Sequence, residues 1–184
     1  MRNAFAIFLI ASFTWTATAA DTARPSPPFT IQPSGAPPLR LSRYRGKVVA
    51  LAFIYTSCSH CQQLTTELNL IARDYSSRDV QFLECAFNGD AVAAMPEFLQ
   101  RFTPPFPVGV ATNAAVMAYL QHSVIDPRPL FVPHMVFLDR AAVIRADYPA
   151  EDAFFANANA NIRAQLEKML KAPAAAKKPS SAAK

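Results

Sequence analysis

The chain has 184 residues, 52% of them hydrophobic and 17% charged, with a formal net charge of +5 and three cysteines. That length suits one domain with a real core and is short for two. Setting aside Arg2 and the four lysines from Lys171 onward leaves 13 basic against 13 acidic residues, so the body is neutral and a nucleic-acid-binding face is excluded.

Residues 1–20, MRNAFAIFLIASFTWTATAA, give one arginine, a mostly apolar stretch and a run of small residues. The stretch is short for a transmembrane span and its end suits a signal peptidase. The expectation is an export signal cut after Ala19 or Ala20, which places the protein in the bacterial periplasm or a similar extracytoplasmic compartment, where disulfides persist. The alternative is an uncleaved anchor. Residues 21–38 hold six of the sixteen prolines and read as an extended approach to the domain, with Phe29–Gln32 as a candidate edge strand. Residues 39–171 are expected to be the domain and 172–184 a disordered basic tail.

Within the domain, VVALAFIY (48–55) is apolar and β-branched, the pattern of a strand buried on both faces. Leu64, Leu68, Ile71, Ala72 and Tyr75 fall at helical spacing and predict a helix from about Cys58 to Ser76, with Ser57 as its N-cap. DVQFLECAF (79–87) reads as a second buried strand. A helix over 92–102, a short strand FPVGVA and a helix over 113–122 follow. PHMVFLD (133–139) and AAVIRADY (141–148) predict a hairpin. Phe154, Ala158, Ile162, Leu166 and Leu170 mark a last amphipathic helix, expected to begin near Pro149. Strands alternating with helices argue for an α/β fold, a central mixed β-sheet flanked by helices.

Cys58 and Cys61 lie where the first buried strand gives way to a helix. The unpaired N–H groups of a first helical turn favour a thiolate, the reactive form of cysteine. Cys58 is therefore the expected attacking thiol, and Cys61, one turn further in, the resolving thiol. His60, between them, is placed to favour that thiolate when protonated, or to be an ordinary loop histidine. Far downstream, Val132-Pro133 enters the hairpin, and Pro133 is either an edge proline or a cis-proline tied to a site. Cys85 reads as a buried free thiol.

Together the strand–CxxC–helix, VPHMVFLD and the terminal helix resemble the thioredoxin-like fold. The lead-in PPFTIQPSGAPPLRLSRYRGKVVALAFIYTSC is similar to that of exported TlpA/ResA-type thiol–disulfide oxidoreductases. The resemblance covers about residues 27–170. It implies a redox-active disulfide between Cys58 and Cys61 and no other cofactor. Pro133 takes the family's cis-proline position, and Val132 meets the substrate backbone. Protein thiols and disulfides would be the substrates and a membrane or periplasmic redox protein the partner, with the chain acting as a monomer. His60 resembles the histidine of CPHC and CGHC motifs, which leans toward oxidation, whereas the TlpA/ResA resemblance leans toward reduction.

Three positions depart from these families. Ser57 replaces a tryptophan, Ala52 stands where thioredoxins carry a buried aspartate, and Leu64 where some TlpA/ResA-type proteins carry a glutamate. With both carboxylates gone, His134 is the candidate proton acceptor for Cys61, and Glu67 is expected at the surface. FIYTSC also resembles Sco-type copper proteins, whose cysteines lie one residue further apart. Under that alternative Cys58, Cys61 and His134 would bind copper. Gln62 after Cys61 excludes c-type haem attachment, and the lack of a second CxxC leaves no closed zinc site. A peroxiredoxin would want threonine where Tyr55 stands. A non-enzymatic domain with a structural disulfide completes the alternatives.

Overall fold

The computed structural model describes residues 23–123, 125–126 and 129–172. The expected export signal and residues 173–184 of the expected tail lie outside them. Among the described residues, one mixed sheet of eight strands carries four helices.

Its centre is β4 (Val48–Ile54), buried at every position. Because side chains alternate along a strand, Val48, Ala50, Ala52 and Ile54 face one layer, and Val49, Leu51 and Phe53 the other. On one side β4 pairs in parallel with β5 (Val80–Ala86), and on the other it pairs antiparallel with β7 (His134–Leu138). Beyond β5 runs β6 (Val108–Val110), and beyond β7 runs β8 (Val143–Tyr148).

The proline-rich segment is part of this sheet rather than an approach to it. Its strands β1 (Arg24–Pro25) and β2 (Thr30–Pro33) pair with β8 and β6, and β3 (Leu39–Arg40) closes the edge on β2. Phe29 and Ile31 are buried, which anchors the segment, and among the described residues the sheet already includes Arg24–Pro25. A Cβ on Gly109 would stand 2.5 Å from the Gln32 carbonyl oxygen, so β2 docks on β6 because that residue is glycine.

Helices α1 (Ser59–Asp74), α2 (Ala91–Phe102) and α4 (Ala158–Lys171) cover the face to which Ala52 points. The other face is covered by α3 (Asn113–Leu120) and by Phe29, Ile31, Leu39 and Leu41. The helix expected to begin near Pro149 begins at Ala158. The Asp152 carboxylate accepts from the Phe154 N–H at 2.7 Å and starts a separate 3-10 turn over Ala153–Asn157, which local side-chain bonding of this kind favours over a helix. No helix among the described residues is long and apolar enough to cross a membrane.

Candidate active site

Cys58, not Ser57, is the N-cap of α1. Its backbone is extended, and its Sγ accepts a hydrogen bond from the Cys61 N–H at 3.4 Å. The cap that serine or threonine usually supplies with oxygen is made here by the sulfur itself. Cys58 is half-buried, and its Sγ lies 3.9 Å from the Val132 carbonyl oxygen. The Val132–Pro133 peptide is cis. Strand β4, the start of α1 and the entry to β7 thus bring Cys58, Cys61, Val132 and Pro133 together. All three cysteines are free thiols.

The turn before Cys58 is pinned from two sides. Asn88, just past β5, accepts from the Thr56 N–H at 3.0 Å and donates to the Thr56 hydroxyl oxygen at 2.8 Å. Gln62 donates to the Thr56 carbonyl at 2.8 Å. With these bonds the backbone polar groups around the cysteine are tied to fixed partners, so the sulfur is held on a rigid frame.

Cys61 is fully buried among Ala52, Leu64 and Leu68. Burial pushes its thiol far above the ordinary range, a backbone hydrogen bond at Tyr55 pulls the other way, and Cys58 and Glu84 push it up further. The pair is therefore unequal: one sulfur can be reached from solvent, and the other ionises only with help.

His60 is exposed. With Gln63, Leu64, Glu67, Val132 and Pro133 it lines a cavity of about 240 Å³ beside the cysteines. Glu67 is half-buried rather than at the surface. It lines this cavity, with Oε2 enclosed and without a partner. A second groove, on the other side of the motif, runs past Ser57, Gln62, Asp90 and Arg101.

His134 does not join this group. Along β7, Met135 and Phe137 face α1, whereas Val136 and Leu138 face α3, so alternation sends His134 to the α3 side. There its Nε2 bonds the Asp147 carboxylate. It cannot serve as the proton acceptor for Cys61, and the sheet separates it from Cys61, with which it would have to bind copper. Among the described residues no three His, Cys, Asp or Glu side chains are grouped to hold a metal ion. Cys85 is fully buried and also faces the α3 side.

Sequence reasoning missed Glu84. It stands in β5 with none of its surface exposed, and neither carboxyl oxygen has a hydrogen-bond partner. Burial pushes its carboxyl up to about 8; Thr65, whose hydroxyl is committed to the Cys61 carbonyl at 3.0 Å, pulls it down only in part. Its signal in the sequence was a single charge inside a strand that is apolar apart from Gln81.

The family model described as Redoxin matches residues 20–162. No curated protein matches the chain by sequence. Among solved structures, the thioredoxin domain of a thiol-disulfide oxidoreductase from Bacteroides vulgatus is 15% identical, with a TM-score of 0.65 over 81% of this chain and 97% of that one. A thiol:disulfide interchange protein of the thioredoxin family from Chlorobium tepidum is 18% identical, with a TM-score of 0.64 over 78% and 97%. A secreted Mycobacterium tuberculosis disulfide oxidoreductase homologous to Escherichia coli DsbE is 19% identical, with a TM-score of 0.56 over 74% and 95%. The fold is thus thioredoxin-like, with its mixed central sheet flanked by four helices.

Proposed function

This chain belongs to the Redoxin family, and from that premise we propose that it is an exported thiol–disulfide oxidoreductase of the TlpA/ResA type, working on protein thiols and disulfides through Cys58 and Cys61. The observation that carries this reading is the unequal pair beside Val132-Pro133. Cys58 is half-buried with its sulfur held by the Cys61 N–H, and Cys61 is fully buried one turn behind it. An N–H aimed at sulfur stabilises negative charge there, as an attacking thiolate requires.

In the reducing direction, the Cys58 thiolate attacks a substrate disulfide. One substrate sulfur leaves as a thiolate, and a mixed disulfide remains. The Cys61 thiol then loses its proton and attacks Cys58 Sγ. The second substrate sulfur leaves, and the Cys58–Cys61 disulfide holds the oxidised state. Two electrons pass to the substrate. The oxidising direction is the same sequence reversed. No other cofactor is required. The two grooves flanking Cys58 suit an extended polypeptide, with Val132 meeting its backbone. His60 lines one groove and would tune the exchange. Phe131, half-exposed at 52%, offers an apolar contact to a protein substrate or to a membrane or periplasmic redox partner. The protein acts as a monomer, and residues 1–20 direct export.

Cys61→Ser is expected to accumulate a mixed disulfide with protein substrates, visible on non-reducing gels. Cys58→Ser is expected to form no adduct and to lose all exchange; exchange persisting in Cys58→Ser overturns the reading. The equilibrium potential against glutathione assigns the direction, near ~−120 mV for an oxidant and ~−270 mV for a reductant. N-terminal sequencing of the exported protein is expected to start at Ala20 or Asp21.

A further inference from the structure

Glu84 is out of place by every structural criterion. A fully buried carboxyl normally has hydrogen-bond partners that offset its desolvation, and this one has none on either oxygen. Its position explains what it could be for. Phe82 and Ala86, which share its side of β5, pack in the core under α1, so Glu84 points to the layer that holds Cys61. Its register partner on β4 is Ala52, whose methyl side chain leaves the neighbouring space to the carboxyl. Its partner on β6 is Val108. From α1, Cys61 and Thr65 face it. Cys61 is the titratable group among these neighbours, and the Glu84 carboxyl is near enough for its charge to act on the Cys61 thiol.

We propose that Glu84 is the proton acceptor for Cys61, taking its proton when the mixed disulfide resolves and returning it when the Cys58–Cys61 disulfide opens. The inference rests on the thiol–disulfide reading above. In resolution the Cys61 S–H bond breaks and its proton passes to a Glu84 oxygen. The sulfur's electron pair forms the bond to Cys58 Sγ, the bond between Cys58 and the substrate breaks, and the substrate leaves as a thiolate. In the reverse direction, a substrate thiolate attacks Cys58, and the departing Cys61 sulfur takes the proton back from the Glu84 carboxyl. A carboxyl that titrates near the working pH is suited to both directions. Thr65 acts on the carboxyl, but its hydroxyl proton is committed to the Cys61 carbonyl, so neither Glu84 oxygen is held by a geometric hydrogen bond.

The reduced protein mixed with excess dithiobis(nitrobenzoate) separates the steps. The first thionitrobenzoate released reports attack by Cys58, and the second reports attack by Cys61 on the mixed disulfide. In Glu84→Gln the first phase is expected to be unchanged and the second slowed tenfold or more at pH 7, with the inflexion near the Glu84 titration lost from its pH profile. Asp147→Asn, which alters the carboxyl bonded to His134 on the opposite face of the sheet, should leave the second phase intact. A second phase with unaltered rate and pH profile in Glu84→Gln overturns the proposal, as does equal slowing in Asp147→Asn. If neither phase appears in the wild type, the oxidoreductase reading itself fails. The intact protein provides a measurement free of any folding defect, the titration of the Glu84 carboxyl by carbon-13 NMR in the dithiol and disulfide forms. The Cys61 thiol, on which the Glu84 charge acts, is present in the dithiol and absent in the disulfide, so the midpoint should differ between the two forms. Equal midpoints overturn the proposal.

Discussion

Two buried polar groups flank the central strand, one on each neighbouring strand, and they are treated in opposite ways. On the α3 side, His134 bonds Asp147, the other Asp147 oxygen accepts from Arg24 at 3.1 Å, Arg24 reaches the Tyr119 carbonyl at 3.5 Å, and the Tyr119 hydroxyl meets the Ser26 hydroxyl at 3.0 Å. This network ties the N-terminal strand β1 to β8 and α3. On the α1 side, Glu84 sits beside Cys61 and Thr65 with no geometric hydrogen bond to either carboxyl oxygen. The first arrangement fixes structure, because each bond repays desolvation. The second costs stability and leaves a group free to exchange a proton. His134 also keeps one buried nitrogen, Nδ1, without a partner, so the contrast lies in the carboxylate bond that its Nε2 makes and that neither Glu84 oxygen matches.

The largest expected effect breaks the contrast from the Glu84 side. The folded protein holds the Glu84 proton up to about pH 8 against an ordinary value of 4.5, whereas the unfolded chain releases it near the ordinary value. This group's stabilisation is fully present below the lower value and is lost as pH rises through the upper one. Glu84→Met removes that slope. Its stability advantage over wild type should widen by about 4 kcal/mol between pH 4 and pH 9, measured by chemical denaturation, while resolution by Cys61 slows. A stabilised but slow variant is the outcome that marks a functional rather than a structural carboxyl.

The opposite perturbation comes next. Asp147→Ala leaves His134 and Arg24 without their shared acceptor and should destabilise the fold by about 2–3 kcal/mol. Both phases of thionitrobenzoate release should survive in the protein that remains folded. Gly109→Ala forces a Cβ against the Gln32 carbonyl and should cost about 1–2 kcal/mol, with faster hydrogen exchange in β2 and little change at the cysteines. Arg24→Lys keeps the charge on Asp147 and loses only guanidinium geometry, so its cost should stay under about 1 kcal/mol.

Much of the fold was legible because periodicity and apolar runs determine it. The buried run 48–55, the helical spacing from Leu64 to Tyr75 and the Val132-Pro133 entry to the hairpin appear in the structure where the sequence puts them. What stayed hidden depended on parity and register, which no local stretch contains. His134 follows Pro133 directly, yet strand alternation turns it away from the cysteines. Glu84 lies far from the motif in sequence, yet a parallel pairing sets it level with Ala52. The Asp152 bond that delays α4 and the burial of Phe29 and Ile31 were likewise tertiary decisions, made against a Pro149 start and a proline-rich composition.

The pairing of Ala52 with Glu84 has one more consequence. Two residues on the same rung of a parallel ladder open onto the same patch of core, so the space between them can be filled from either end. Chemistry that needs a carboxyl there is indifferent to which strand sends it. An acid can migrate sideways across a sheet, vanish from the position where it is sought, and still arrive at the same sulfur. Here the carboxyl stands on the neighbouring strand.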